Sequence, residues 1–223
     1  MDFQELRLNL IKESKEKIKA SINDDNLVSQ AISSIHEIDK AVNILSKRLR
    51  EWYELYNPEL SHKIHDHDVF VKKVLEKPIK EELSMGADLE DFDLNQILSL
   101  ATIINSMVDE KTKLVDYIKT KMKICCPNLL ELAGPLIGGK LLAHKGHLRD
   151  LAFMPSSTIQ LLGAEKALFR HLKTHSRSPK YGYILQHQDV SSAKNKGQAA
   201  RQLANKISLA VKKDYFSRDL NND

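Results

Sequence analysis

The sequence predicts an all-α protein in which a long antiparallel coiled-coil stalk is followed by a compact helical domain. Two apolar seams with heptad spacing in the first half support this, as do the shorter segments cut by Gly and Pro in the second. The chain has 223 residues, 42% of them hydrophobic, so it is long enough to bury a sizeable core. We expect two domains: a leading helix and coiled coil over 1–126, and a C-terminal domain over 127–223.

The first seam predicts one long helix. Polar side chains at 23–26 can cap its start. Asn57-Pro58 ends it, because the residue before a proline avoids helical geometry. The apolar positions, spaced alternately by three and four residues, are Val28, Ala31, Ile35, Ile38, Val42, Leu45, Leu49, Trp52 and Tyr56.

A second seam predicts a helix of similar length that pairs with the first within one chain. Its positions are Ile97, Ala101, Ile104, Val108, Lys111, Val115, Ile118 and Met122. Between the seams, 69–77 predicts a short helix ended by Pro78, and 85–88 predicts a break. An amphipathic leading helix is predicted by Phe3, Leu6, Leu10, Ile11 and Ile18.

Shorter helices are predicted after Pro127, where Gly and Pro recur at short intervals. Their ranges are 128–144, 147–153, 157–162, 164–173 and 194–216. The segment 181–185 (Tyr-Gly-Tyr-Ile-Leu) is short and fits an extended conformation. The glycines within 134–139 are expected to permit close packing of helices rather than to bind a phosphate.

Charge is distributed unevenly along the chain. Residues 128–223 hold 15 Lys and Arg against 7 Asp and Glu, a net charge of +8. Residues 1–127 hold 19 against 23, a net charge of −4. The segment 190–213 carries six cations and no acid. A basic half joined to an acidic half indicates that the C-terminal part meets a polyanion.

The first half offers one dense set of potential metal ligands, formed by His62, His65 and His67 with Asp66 and Asp68. On a helix His67 does not share the face of the other two histidines, so a solvated segment is favoured over a metal site. Phosphate-binding loop and hydrolase motifs do not occur in the sequence. We therefore expect no enzymatic activity, no cofactor and no metal.

The two cysteines indicate a reducing compartment. Cys125 and Cys126 are adjacent, which does not suit ordinary disulfide geometry, and a buried hinge is favoured over a reactive pair. No run of ~18 apolar residues predicts a membrane span, and the charged N-terminus lacks the apolar stretch of a signal peptide. We expect a cytoplasmic protein without membrane contact.

Nucleic-acid binding is the function that the second half favours. In the GAEKALFR segment that begins at Gly163, the glycine permits a tight turn, and the helix that follows offers free amide groups to a phosphate. Lys166 and Arg170 are four residues apart and share one face. Leu168 and Phe169 are expected to anchor another face in the core. An ordinary capped surface helix is the alternative interpretation.

At these residues the sequence resembles the Nop domain of archaeal and eukaryotic box C/D scaffold proteins and of the related U4 spliceosomal protein. The likeness rests on PSSTIQLLGAEKALFRHLKTHSRSPKYGYILQH at 155–187. Residues 128–152 resemble the segment that precedes this signature, and 194–216 the final basic helix of the family. Residues 22–60 are similar to its coiled coil. The resemblance covers essentially the whole chain.

The resemblance implies a ribonucleoprotein assembly scaffold that binds a kink-turn (box C/D-like) RNA together with a ribosomal L7-like RNA-binding protein. Cations would position the RNA backbone, while RNA shape and the companion protein would supply specificity. The residues that correspond to this composite surface are Gln160, Gly163, Glu165, Lys166, Arg170, Lys180, Lys194, Lys196 and Arg201.

A homodimer is expected at the distal end of the stalk. Large apolar side chains gather near the tip of a thin two-helix rod, and exposed clusters of this kind usually mark an interface. The residues assigned to this contact are Trp52, Tyr56, Phe70 and Val74. The resemblance agrees, since box C/D scaffolds pair through their coiled coils. In the alternative, the short helix near 69–77 folds back over the cluster and leaves a monomer.

The chain departs from the family pattern at its start. Archaeal box C/D scaffolds carry an N-terminal domain that holds the fibrillarin methyltransferase, whereas here the leading helix begins at Met1. Either a truncated sequence or a natural short form would account for this difference. We therefore expect no contact with a fibrillarin-type methyltransferase. The basic low-complexity tail of eukaryotic members is also missing, which suits an archaeal-type protein. The alternative function is a dimerisation or protein-interaction module without RNA binding, against which the cations of 190–213 argue.

Overall fold

Every regular element in the described part of the chain is helical. The computed structural model describes residues 3–76, 80 and 84–219, and within them there is no strand. The all-α prediction is confirmed. The helices are α1 (Phe3–Ala20), α2 (Asp24–Tyr53), α3 (Pro58–Lys63), α4 (His67–Leu75), α5 (Asp91–Cys125), α6 (Pro127–Lys145), α7 (Leu148–Ala152), α8 (Ser156–Leu161), α9 (Glu165–Thr174), α10 (Gln188–Ser191) and α11 (Lys196–Asp219), with a 3-10 turn at Tyr183–Gln186.

The chain forms two units, and α2 and α5 contribute to both. The terminal unit comprises residues 1–33 and 115–223, and the middle unit comprises 34–114. The predicted leading helix is present as α1, and its side chains are exposed over 3–19. None of the described helices combines the length and apolar character that crossing a membrane requires.

In the middle unit, α2, α4 and α5 share one apolar core. Its buried members are Val42, Leu49, Tyr53, Phe70, Val71, Val74, Ile97, Ala101 and Ile104. They include Ile97, Ala101 and Ile104 of the second predicted seam. Lys111, the polar position in that seam, donates from Nζ to Asp39 Oδ1 of α2 at 2.6 Å, so the interruption is satisfied by a partly exposed ion pair.

Arg50 holds the segment after α2 against the end of that helix. Its guanidinium donates to the carbonyl oxygens of Ser61 at 2.5 Å and Ile64 at 2.6 Å. It also lies 4.2 Å from the centre of the Phe70 ring, a cation–π distance. One side chain therefore fixes both α3 and α4. The predicted end of the short helix, Pro78, lies outside the described residues.

Two of the four residues assigned to a dimer contact are buried, so the expectation that this cluster is exposed is wrong for them, and the short helix folds back as in the alternative arrangement. Phe70 and Val74 are 0% exposed, because α4 folds back and packs them into the core of the middle unit. Trp52, which the heptad spacing placed on the first seam, is 38% exposed, and Tyr53 is buried at 3% instead. Tyr56 is partly buried against the same core.

The predicted break at 85–88 coincides with a close approach to the chain after α2. A Cβ atom at Gly86 would collide with the carbonyl oxygen of Tyr56, so this position accepts only glycine. Glu59 accepts hydrogen bonds from the amide of Met85 at 2.8 Å and from the hydroxyl of Ser84 at 2.7 Å. These hydrogen bonds lower the pKa of Glu59 below its ordinary value.

The histidine-rich segment has a structural role at the start of α4. Asp66 caps this helix by accepting a hydrogen bond from the amide of Val69 at 2.9 Å. Among the described residues, no three His, Cys, Asp or Glu side chains are placed to hold a metal ion together. This holds also for the segment that contains His62, His65 and His67.

In the terminal unit α11 is the central helix, and it packs against α6, α7 and α8. Its buried face repeats every three or four residues, as an amphipathic helix requires. The apolar members of this face are Ala200, Leu203, Ala204, Ile207 and Val211. The opposite face of α11 is therefore free to carry polar and charged groups.

Glycines bring α6 close to α2 and α5, as expected for the 134–139 segment. A Cβ at Gly138 would lie 2.7 Å from Met122 Cε, and one at Gly139 would lie 2.7 Å from Ile32 Cδ1. Gly134, with φ 72°, interrupts the helical geometry of α6 and needs the conformational freedom of glycine there. Close packing therefore accounts for Gly138 and Gly139, and backbone conformation for Gly134.

The cysteines occupy the junction between α5 and α6. Both are buried and free of any disulfide, and their Sγ atoms lie 3.3 Å apart. The hydrogen bond to Cys125, together with burial, raises the pKa of the Cys126 thiol, so this thiol stays protonated. These features fit the interpretation as a buried hinge.

Residues 181–185 are not extended, contrary to expectation. Tyr183–Gln186 form a 3-10 turn, because the backbone there is fixed by the end of α8. The amide of Gly182 donates to the carbonyl of Gln160 at 2.9 Å, and the amide of Tyr183 donates to that of Leu162 at 2.7 Å. The turn therefore closes against α8.

Candidate nucleic-acid interface

The turn between α8 and α9 depends on Gly163. Its φ of +87° lies in the left-handed region, and a Cβ there would lie 2.6 Å from the Tyr183 ring. Its amide donates to Glu165 Oε1 at 2.7 Å. Since both the backbone angle and the ring exclude a larger residue, the sequence of this turn sets the direction in which α9 leaves α8.

Glu165 supports the same turn through a second contact. Its Oε1 lies 3.0 Å from His144 Nε2, and the His144 ring meets Tyr183 edge-on at 5.9 Å. Burial raises the pKa of Glu165, but hydrogen bonds from the amides of Gly163 and of Glu165 itself, and the charges of His144 and Lys145, outweigh it and lower the pKa. The carboxylate therefore stays ionised and holds α9 in place.

Helix α9 presents cations and large apolar groups together on the surface. Lys166 and Arg170 are exposed. Phe169 is 68% exposed and Leu172 64%. The expectation that Phe169 anchors in the core is therefore wrong, and Leu168 is only partly buried. No residue of α9 is fully buried, so the helix offers two kinds of contact, ionic and apolar, to a partner.

A cleft of about 660 Å³ opens beside α8 and the start of α11. The residues that line it are Ser157, Gln160, Leu161, Pro179, Lys180, Asn195, Gly197, Gln198 and Arg201. Two of these side chains are cationic, four are neutral and polar, and none is acidic. A cleft with this lining can bind an anion through its cations and hydrogen-bond a polar group beside it.

Gln160 ties α8 to the loop that carries Lys180 on one wall of the cleft. Its Nε2 donates to the carbonyl oxygen of Lys180 at 2.5 Å, which fixes the loop that carries Lys180. On the other wall, the amide of Gln198 donates to Asn195 Oδ1 at 3.3 Å. Gly197 lies opposite, where a Cβ would be 3.4 Å from Lys180 Cδ. The aliphatic part of Lys180 therefore lies alongside the start of α11.

The nine residues predicted for the composite surface fall into two groups within the terminal unit. Gln160, Lys180 and Arg201 line the cleft, and Lys194 and Lys196 are exposed beside it at the start of α11. The second group is on the α8–α9 turn and on α9. Its members are Gly163, Glu165, Lys166 and Arg170.

Three polar residues that line the cleft are not among those predicted from the sequence. They are Ser157, Asn195 and Gln198. Asn195 lies between two predicted cations, and Gln198 precedes Arg201 by three residues, which places both on one helix face. That spacing was the available signal. The signal is weak, because small polar residues on a surface helix carry no periodic pattern of their own. Identifying the lining required the structure, which shows where α8 meets α11.

Comparison with known families places the chain in one of them. The family described as "Nop: snoRNA binding domain, fibrillarin" matches residues 34–223. The chain therefore belongs to the Nop family. The description is that of a binding domain, which agrees with the expectation of a function without catalysis.

Relatives occur in both eukaryotes and archaea. Nucleolar protein 56 of Schizosaccharomyces pombe is 37% identical over 248 residues, covering 97% of this chain and 50% of that protein. An uncharacterised NOP5 family protein of Methanocaldococcus jannaschii is 38% identical over 216 residues, covering 86% and 52%. Nucleolar protein 58 of Debaryomyces hansenii is 38% identical, covering 92% and 45%. The chain thus spans about half the length of the relatives it matches.

A solved structure shares the fold. A chain from the crystal structure of a fibrillarin/Nop5p complex superimposes with a TM-score of 0.56 at 22% identity. The superposition covers 96% of this chain and 70% of that chain. At this level of identity the likeness concerns the fold alone.

Proposed function

We propose that this chain is a ribonucleoprotein assembly scaffold that binds a kink-turn, box C/D-like RNA together with a ribosomal L7-like protein. The observation that carries the proposal is the cleft between α8 and α11, whose lining contains Lys180 and Arg201 but no acidic residue. Backbone phosphates bind to such cations, and the neighbouring amides of Gln160, Asn195 and Gln198 can hydrogen-bond a sugar or base edge. Membership of the Nop family supports the choice of RNA over other polyanions.

Helix α9 is the proposed contact with the companion protein. Phe169 and Leu172 expose large apolar side chains, and an apolar centre with a polar rim is typical of a protein interface. Lys166 and Arg170 on the same helix can reach phosphates at the edge of that contact. RNA and companion protein would then be bound side by side by one domain. Such an arrangement would make the affinity for the two together higher than the affinity for RNA alone.

The experiment is a gel shift with one kink-turn RNA at one fixed salt concentration, with and without the L7-like protein. We expect weak binding by the chain alone and much tighter binding when the companion protein is present. Equal affinity in both states would contradict recognition of a composite surface. Absence of binding in both states would favour the alternative, a dimerisation or protein-interaction module without RNA binding.

Charge reversals locate the surface. Lys166→Glu and Arg201→Glu should each weaken binding, and each lost phosphate contact should reduce the slope of log affinity against log salt by ~0.7–0.9. Lys47→Glu is the matched control, because Lys47 is an exposed lysine of the middle unit. His65→Ala should also leave binding unchanged. If both reversals behave like Lys47→Glu, the RNA-binding surface lies elsewhere on the chain.

We also propose that the middle unit pairs with a second copy, so that one assembly presents two RNA sites. With Phe70 and Val74 buried, the candidate contact is formed by exposed apolar residues, of which Ile44, Trp52 and Leu55 belong to α2 or directly follow it. Light scattering tests this. We expect a dimeric mass that becomes monomeric in the double variant Ile44→Asp/Leu55→Asp and is kept in Ile22→Asp, an exposed apolar position of the terminal unit. A monomeric wild type at tens of micromolar protein would contradict pairing.

A further inference from the structure

Three aromatic rings form a cluster on the terminal unit, where the end of α7 meets α11. The Phe153 ring lies 5.8 Å from Tyr215 and 6.1 Å from Phe216, and Tyr215 lies 5.3 Å from Phe216, all edge-on. Phe153 is nevertheless 64% exposed and Phe216 49%. In each of these contacts the edge of one ring covers part of the face of the other, so it is the exposed surface of Phe153 and Phe216 that stays available to a ligand.

The outward face of α11 leads to this cluster and is cationic. Arg201, Lys206, Lys212 and Lys213 are exposed, and no acidic residue occurs from Lys196 to Lys213. The acid that follows, Asp214, is 3% exposed and points inward, where it accepts hydrogen bonds from the start of α6. The positive charge of this face is therefore not neutralised along the helix.

The cationic face joins the cluster to the cleft. Arg201 lines the cleft, and Phe216 follows it by 15 residues on the same exposed side of α11. At ~1.5 Å per residue the two are roughly 22 Å apart along the helix. Lys212 and Lys213, four and three residues before Phe216, share its face. A polyanion that leaves the cleft can follow these cations as far as the rings.

We propose that this surface binds a single-stranded stretch of RNA, with a base stacked on the Phe153–Tyr215–Phe216 cluster and its backbone along Lys206, Lys212 and Lys213. Stacking on aromatic side chains beside a cationic groove is the usual chemistry of single-strand binding. Charge favours RNA over an apolar protein partner, because Lys206, Lys212 and Lys213 are exposed on the face of α11 that leads to the rings. Asp150, on α7 near Phe153, is also exposed, but it opposes these three cations with one carboxylate. This proposal rests on the proposed function in one respect: the surface continues from the cleft that is proposed to bind the kink-turn RNA.

The test uses three RNAs with the intact chain: a blunt-ended kink-turn RNA, the same RNA with a single-stranded extension, and a short oligouridylate. Binding is measured by fluorescence anisotropy at one salt concentration. The extension should tighten binding by about tenfold, the contribution of one stacked base. The double variant Phe153→Leu/Phe216→Leu keeps apolar side chains at both positions but removes the rings. It should lose that gain and the affinity for oligouridylate, while its affinity for the blunt RNA stays as in the wild type.

Phe92→Leu is the matched control, since Phe92 is an exposed phenylalanine of the middle unit, and it should bind all three RNAs like the wild type. Wild-type binding of the extended RNA and the oligonucleotide by the double variant would overturn the inference. A selective loss of the double variant's affinity for the L7-like protein, measured without RNA, would also overturn the inference, because the cluster would then be a protein contact. Ring-dependent binding of oligouridylate, with no binding of the blunt RNA either with or without the L7-like protein, would support the inference and contradict the proposed function instead.

Discussion

The carboxylate of Asp214 in α11 accepts a hydrogen bond of 2.8 Å from the backbone amide of Leu129 in α6. The same carboxylate accepts a second bond, 3.0 Å long, from the amide of Asn128. Free amides at the start of a helix carry partial positive charge, so a buried carboxylate there satisfies donors and complements the helix dipole at once. This contact links the two longest helices that lie wholly within the terminal unit.

Asp214→Ala should therefore destabilise the terminal unit. The variant loses a charged acceptor and leaves buried amides without a partner, which costs about 2–3 kcal/mol of unfolding free energy. Urea denaturation followed by circular dichroism measures the change. Asp116→Ala, at an exposed position of α5, is the control and should change stability by less than about 0.5 kcal/mol. Equal effects of both substitutions would show that the hydrogen bonds of Asp214 do not stabilise the terminal unit.

Gly163→Ala should destabilise the α8–α9 turn more than the same change at Gly146. Both glycines have positive φ, +87° and +84°, but a Cβ at Gly163 would lie 2.6 Å from the Tyr183 ring whereas one at Gly146 meets nothing within 4 Å. Gly146→Ala thus reports backbone strain alone, about 1–2 kcal/mol. Thermal unfolding of the two variants measures the difference. Equal melting temperatures would show that the Tyr183 ring moves aside without cost.

Regular helices were predictable from the sequence because apolar spacing reports burial directly. The second seam identified Ile97, Ile104 and Ile118, all 0% exposed. In the second half, the five predicted helices correspond to α6, α7, α8, α9 and α11 within a few residues, although α6 contains several Gly and Pro residues of its own.

Contacts between elements distant in sequence were not predictable in the same way. Spacing alone could not show that α4 packs Phe70 beneath Arg50, because that depends on where the chain reverses. It also placed Trp52 on the seam, although the core takes Tyr53. On α9, apolarity predicted burial for Phe169, whereas the side chain is exposed. For the site, spacing singled out Lys166 and Arg170, charge singled out the cations of 190–213, and the resemblance assigned them to one surface, but the meeting of Gln160 with Lys180 required the structure.

Phe70→Ala should unfold the middle unit selectively. The side chain is 0% exposed and packs against Tyr53 and Arg50, so its removal leaves a cavity that costs about 3–5 kcal/mol. Hydrogen exchange of backbone amides is the measurement, because it reports stability segment by segment. Faster exchange is expected for residues 34–114. Phe92→Ala, at an exposed position, should leave exchange unchanged, and unaltered exchange in Phe70→Ala would contradict the buried position of this ring.

Tyr53 should make the middle unit sensitive to alkaline pH. Burial, and the neighbouring Tyr56, raise the pKa of Tyr53 from its ordinary 10.0 to about 12, against a smaller opposing effect of a hydrogen bond to Asn57. The unfolded chain therefore releases this proton at lower pH than the folded chain. The contribution to stability is fully present below pH 10 and is lost as the pH rises through about 12.

Tyr53→Phe cannot ionise, so the unfolding free energy of the wild type should fall relative to that of the variant over this window. Urea denaturation at a series of pH values measures both curves. Curves that stay parallel from pH 9 to pH 12 would mean that Tyr53 ionises as readily in the folded chain as in the unfolded one.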